Sequence, residues 1–264
     1  MNYNIFIIIL SIVMSALILI ASENSKNEKK QKTDDSIQNK LNNPFASAKE
    51  IKLAYTYETG KSPFCTNHKE GTSLEYEIFK TLYRYEGKVL SNLYVGKIDK
   101  TDTEIDIVFV HNTGIYVIEC KDIRAREIIG DEQEKQWDCI YSNTYRRKMY
   151  NPLKQNISHI VALKNAISNK CPHDCYTSIV VINCNNVKSR YNSNFDNYYQ
   201  NIVNPKKVKF HIDSLIKNRN RVFSDEQVIN IYKHLHSNYA NASAKVKKAH
   251  RIRVQNISMD SKRQ

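Results

Sequence analysis

Residues Glu104–Asp122 read EIDIVFVHNTGIYVIECKD. Two short runs rich in Ile, Val, Phe and Tyr, Glu104–Val110 and Ile115–Glu119, flank Asn112-Thr113-Gly114, a turn signal. Apolar β-branched runs on either side of such a turn predict an antiparallel hairpin. The charges are the unusual part. Asp106 interrupts the first run, and Glu119 and Lys121 end the second. Charged groups at the ends of buried strands are costly unless they are paired or bound to something.

Outward from the hairpin, Leu74, Ile78, Phe79 and Leu82 recur at helical spacing from Thr72, with Gly87 closing the segment. Lys88–Tyr94 (KVLSNLY) reads as a strand. After the hairpin, Ile123–Tyr150 is a polar and aromatic stretch to which no element is assigned. Asn151-Pro152 then opens a helix with Ile157, Ile160, Val161 and Leu163 on one face, and Ser178–Cys184 (SIVVINC) reads as a buried strand. Ser224-Asp-Glu-Gln227 has the form of a capping box ahead of a helix through Ile229, Ile231 and Leu235. The order helix, three strands, helix, strand predicts an α/β fold: a small mixed sheet flanked by helices.

The chain of 264 residues carries 40 Lys and Arg against 27 Asp and Glu, a net charge of +13. That balance favours an anionic partner, nucleic acid or membrane surface, although a solvated Lys-rich face gives the same total. Ile5–Ala21 is an uncharged apolar run of 17 residues, at the short end of a membrane span. Met1–Asn4 has no Lys or Arg, and Leu19 and Ile20 are bulky near any cleavage point, so an uncleaved transmembrane anchor is expected rather than a signal peptide. Lys26, Lys29, Lys30 and Lys32 follow the run, which predicts a single-pass protein with its main domain in the cytoplasm. There the six cysteines are expected as reduced thiols; Cys171, Cys175 and Cys184 look a little like a metal knuckle but lack a second ligand pair. The expected organisation is an anchor over 1–22, a polar tether and lead-in over 23–69, and a main domain over 70–190. A helical extension follows over 191–240, and a flexible basic tail over 241–264 with seven Lys or Arg against one Asp.

Glu119 and Lys121 lie two apart, so they share one face of their strand while Cys120 points away. With Asp106 alongside, two carboxylates and the Cys120 carbonyl would make an oxygen-rich seat for Mg²⁺ or Mn²⁺. An ion pair or strand-end charges facing solvent would leave the same short pattern.

Gly71-x-x-x-Glu75, Glu104-Ile-Asp106-Ile, Gly114-Ile-Tyr-Val-Ile-Glu119-Cys-Lys121 and Asn151-Pro-Leu-Lys-Gln155-Asn follow in order along the chain. This succession resembles the motifs of NERD domains, the nuclease-related domain, a family similar to the PD-(D/E)xK nucleases. The resemblance spans about Glu70–Cys184 and implies a restriction-endonuclease-like core. It implies that Asp106 and Glu119 hold Mg²⁺ or Mn²⁺, that Glu75 completes the acidic cluster, that Lys121 is the catalytic lysine, and that Gln155 reaches the site. Ile105 stands where the wider superfamily has its proline, and Leu74 where a glycine usually precedes the helix glutamate. Glu75 has a rival local role, since Thr72-Ser-Leu-Glu75 is itself a capping box.

Arg146, Arg147 and Lys148 lie between Tyr145 and Tyr150, a mix of basic and aromatic residues that suits a single-strand binder or a solvated basic loop. In the tail, Lys245, Lys247, Lys248, Arg251 and Arg253 are candidates for nucleic-acid contact. His159, His173 and His211 are read as structural. The functional expectation is a membrane-tethered, metal-dependent nuclease acting on DNA; the alternative is a membrane-anchored nucleic-acid-binding or scaffold protein with a non-catalytic NERD fold.

Overall fold

The structure is a computed structural model that describes residues 20, 22–29, 31–32, 35, 37–60, 72–99, 101–167, 171, 175–190, 202–240, 242, 246–250 and 252. Apart from Ile20, the apolar run 5–21 lies outside the described residues, as do Cys65 and His173. No helix among the described residues is long and apolar enough to cross a membrane. The polar stretch expected as a tether is helical at its described residues up to Asn39.

From Leu41 onward the chain forms one compact unit. Its main sheet has five strands: β1 (Gly87–Gly96), β2 (Asp102–His111), β3 (Gly114–Lys121), β7 (Tyr176–Ile182) and β9 (Ile202–Val203), in the order β1-β2-β3-β7-β9. β1, β2 and β3 form an antiparallel meander, while β7 runs parallel to β3 and β9 parallel to β7. The expected hairpin is present, paired from His111↔Gly114 to Ile107↔Ile118. Gly114 sits in its turn at φ +147°, where a Cβ would lie 2.6 Å from the Cys175 carbonyl oxygen. Only glycine fits there.

Helices cover both faces, which explains why β3 is apolar on both sides rather than alternating. Tyr116 and Ile118 pack with α1 (Ala48–Thr59), α2 (Thr72–Leu82) and α4 (Val208–Lys217). Ile115 and Val117 face α3 (Pro152–Ile167) and α5 (Asp225–Tyr239). The Ser224–Gln227 capping box of α5 forms as expected, and α1, unassigned from sequence, has its own between Ser47 and Glu50.

A second sheet corrects the expectation of one. β4 (Glu127–Gly130), β5 (Gln136–Ile140), β6 (Arg146–Tyr150) and β8 (Val187–Ser189) are ordered β6-β5-β4-β8. Ile128, Trp137, Cys139 and Cys184 give it a small core against Leu153, Val180 and Ile182. Gly130 makes room for the Trp137 ring, since a Cβ there would overlap Trp137 Cγ. None of the five described cysteines is in a disulfide. Cys184 follows β7 while Cys171 and Cys175 precede it, so the three do not converge as a knuckle.

The buried face of α3 also differs from expectation. Ile157 and Val161 are half exposed, whereas Leu153, Asn156, His159, Leu163 and Ile167 face inward. Polar residues hold central positions there because the sheet supplies their partners. Asn156 Nδ2 donates to the carbonyls of Val117 and Ile179, tying the helix to β3 and β7. Asn151 Oδ1 accepts from the amides of Leu153 and Lys154, while its Nδ2 donates to the carbonyls of Asp131, Glu132 and Glu134. One side chain thus caps α3 and fixes it to the second sheet.

Candidate active site

The meander is irregular at one place. Leu90 and Leu93 of β1, three apart, enter the same core, and in β2 Ile105 shares a core with Val108 while Ile107 faces the other. Side-chain facing therefore slips by one residue between the pairs Ser91↔Ile107 and Leu93↔Ile105. Asn92, in that gap, adopts φ +55°, a conformation asparagine tolerates better than most residues. Asp106 occupies the matching gap in β2. Past Ile107↔Ile118, β2 and β3 no longer pair, and the Cys120 amide donates to Asp106 Oδ2 at 2.8 Å.

Glu119 and Lys121 share a face as expected and form an ion pair through Glu119 Oε1. Cys120 points the other way, against the core beneath α1 and α2. Lys121 Nζ also donates to Gln155 Oε1 at 3.0 Å. Only 1% of the Glu119 side chain is exposed, and its Oε2 accepts from His159 Nε2 at 2.9 Å. On the other side of that ring, Nδ1 lies 2.9 Å from Thr103 Oγ1. Gln155 and His159 stand four apart on α3, one turn apart on the same face. His159, read from sequence as structural, thus hydrogen-bonds a candidate site residue, and its spacing from Gln155 was the signal available to find that contact.

The charges oppose one another. Burial raises the Asp106 carboxyl well above its ordinary range, and the charges of Glu119 and Glu75 push the same way. Burial also works against the Glu119 carboxylate, but the Lys121 ammonium and the His159 hydrogen bond outweigh it and hold the group below its usual value. Lys121 is destabilised as a cation by burial, yet Glu119 and Asp106 more than compensate and raise it. The Cys120 thiol is pushed far up by burial and then by the three carboxylates, which leaves it inert.

All five residues expected at the site therefore fall in one electrostatic cluster. Glu75 enters it from the first turn of α2, is buried, and acts on Asp106. Its possible capping partners, the side chains of Thr72 and Ser73, lie outside the described residues. The expected metal triad is only partly realised: among the described residues no three His, Cys, Asp or Glu side chains form a ready ligand cage. Both Glu119 oxygens already have partners. The donor chemistry nonetheless suits a hard divalent cation: Asp106 and Glu119 share the Lys121 ammonium, and burial with the charges of Glu119 and Glu75 drives Asp106 toward protonation.

The basic residues lie outside this cluster. Arg146, Arg147 and Lys148 sit on β6, the exposed edge of the second sheet, not on a loop. Arg147 lies over the Tyr145 ring at 5.1 Å, and Lys148 pairs with Asp138 at 2.7 Å. Lys245, Arg251 and Arg253 lie outside the described residues. Lys248 is exposed on a helical stretch, residues 246–250, and Lys247 of the same stretch lies 6.0 Å from the Tyr94 ring centroid. His250 lies 3.8 Å from Glu104. This part of the tail, expected to be flexible, packs on β1 and β2. A cleft of about 440 Å³ opens beside the cluster, lined by Thr103, Glu104, Tyr150, Gln155, His159 and His250 among others.

Residues 70–183 match the family model of the nuclease-related domain, NERD, over the stretch whose motifs carry the resemblance. No curated protein and no solved structure matches the chain. Helices α1, α4 and α5 lie outside the matched residues.

Proposed function

We propose that the Asp106–Glu119–Lys121–Gln155 cluster hydrolyses phosphodiester bonds of nucleic acid, DNA foremost, with a divalent cation. The observation that carries this reading is the meeting of Asp106, Glu119, Lys121 and Gln155 where β2 and β3 part, beside a cleft that Gln155 and His159 line, with the charge of Glu75 acting on Asp106. Asp106 and Glu119, with Glu75 completing the acidic cluster, would hold Mg²⁺ or Mn²⁺, which when bound lowers the pKa of a water and offsets charge on the phosphate.

The side chains divide the remaining work. Lys121 is raised, so it stays an ammonium through neutral pH and acts as a positive donor to the phosphate rather than as a general base. Gln155 holds that ammonium from the cleft side. The Arg146–Lys148 edge and the tail lysines supply sequence-independent attraction to the backbone. Tyr150, 45% exposed on the cleft wall, offers a face for a base. The apolar run 5–21 would hold this activity at a membrane, with the domain on the cytoplasmic side.

Incubation of the full chain with end-labelled single-stranded and duplex DNA tests the reading. Fragments should appear with Mg²⁺ or Mn²⁺ and none with EDTA. DNA that is bound but stays whole in every metal would make the protein a binding module, its charged cluster an ion network that satisfies itself.

A further inference from the structure

Glu119 has two oxygens with different partners, and that difference carries a consequence for how the site is used. Oε1 faces Lys121, whose side chain is 21% exposed and whose Nζ has a second partner in Gln155. Oε2 faces His159, whose side chain is 3% exposed. A carboxylate can only accept, so the proton of this contact sits on His159 Nε2. The ring's other nitrogen meets Thr103 Oγ1, which is buried and lies on β2 three residues before Asp106. Thr103 therefore ties the orientation of Glu119 to the same strand that presents Asp106.

We propose that His159, set by Thr103, is the positioning residue of this site: it commits Glu119 Oε2 to the protein interior and leaves Oε1 as the oxygen offered to a divalent cation. The proposal rests on the metal-dependent reading above and adds the division of labour within Glu119. Lys121 can leave Oε1 without becoming unpaired, because Gln155 holds it from the other side. His159 has no such freedom. It is buried on the inward face of α3, and letting go of Oε2 would leave a buried carboxylate oxygen without a donor. Groups that orient a ligating side chain in this way typically change metal affinity by about 10–100-fold when removed.

The test is Mn²⁺ binding by the full chain without nucleic acid, measured by calorimetry, for wild type, His159→Leu, His159→Gln and Thr103→Val. His159→Leu keeps bulk but loses the donor, and should weaken Mn²⁺ binding by about 10-fold or more. His159→Gln can place an amide N–H near the position of Nε2 and should restore most of that loss. Thr103→Val, which leaves the ring but removes its outer partner, should fall between them. Should His159→Leu not fold, Thr103→Val alone decides, since it perturbs only the orientation. Wild-type affinity in folded His159→Leu or in Thr103→Val overturns the proposal and leaves the nuclease reading standing. Equal loss in His159→Leu and His159→Gln also overturns it, because it marks a packing effect. Absence of Mn²⁺ binding by wild type removes the metal-dependent reading itself, and this proposal with it.

Discussion

Asp106→Asn should make the metal-free protein more stable while disabling it. Burial and the neighbouring Glu119 and Glu75 charges raise the Asp106 carboxyl well above its ordinary value. A folded-state pKa above the unfolded one contributes stability that is fully present below the unfolded pKa and is lost as pH rises through the folded one. At neutral pH the native aspartate therefore works against folding. The ceiling follows from reference values: about 1.4 kcal/mol per pH unit, over roughly three units between an unfolded aspartate near 3.9 and pH 7, gives about 4 kcal/mol. Lys121 and the Cys120 amide favour the ionised form and reduce this. The asparagine carbonyl can still accept from the Cys120 N–H, so little is lost. A net gain of about 1–3 kcal/mol is expected, on the order of 2–10 °C in Tm for a unit of this size. The assay is urea and thermal unfolding in EDTA at pH 7.5 and at pH 4. The variant should exceed wild type at pH 7.5, and the gap should shrink at pH 4. A variant less stable at pH 7.5, or a gap that does not change with pH, would refute the electrostatic picture of the site.

Lys121→Met should do the opposite, costing about 3 kcal/mol at neutral pH because it strands the buried Glu119 carboxylate. Glu119 lies below its ordinary value in the native protein, so its contribution is present above the unfolded pKa and is lost as pH falls through the folded one. The Lys121→Met deficit should accordingly narrow in acid, as urea titrations across pH will show. Gly130→Ala drives a methyl group into the Trp137 ring and should destabilise the second sheet by about 1–3 kcal/mol, read directly by the emission of the single tryptophan. Replacing both Arg146 and Arg147 with Ala should weaken binding to DNA of any sequence and flatten its salt dependence, with metal binding unchanged; fluorescence anisotropy at several salt concentrations measures both.

The centre of the fold is legible in the sequence because two effects agree there. The β-branched runs around Asn112–Gly114 favour strands, and the turn chemistry fixes how they pair. Glu119 and Lys121 could be placed on one face by period alone, and Gln155 followed from the motif resemblance. Where polarity and burial part company, the sequence misleads. The apolar spacing of α3 selects Ile157 and Val161, yet Asn156 and His159 go inward because β2, β3 and β7 supply their hydrogen bonds. Those partners lie 22 to 56 positions away in the chain, and no local pattern shows them. The strands of the second sheet are short, with only a few buried apolar positions such as Ile128, Trp137 and Cys139, and ion pairs such as Lys148–Asp138 hold its other face, so Ile123–Tyr150 is too broken and charged to stand out as strands. By contrast α1 could have been found: Ser47-Ala-Lys-Glu50 is a capping box, and Gly60 ends the helix with a left-handed φ of +66°.

The most direct test of the central claim is cleavage of supercoiled circular DNA by the full chain in Mg²⁺, Mn²⁺ or EDTA, compared with Asp106→Ala and Lys121→Ala. Nicked and linear products that need the cation and disappear with either substitution are the predicted result. Wild-type protein that binds the circle and leaves it supercoiled in both metals would contradict the account, as would cleavage that persists in both variants.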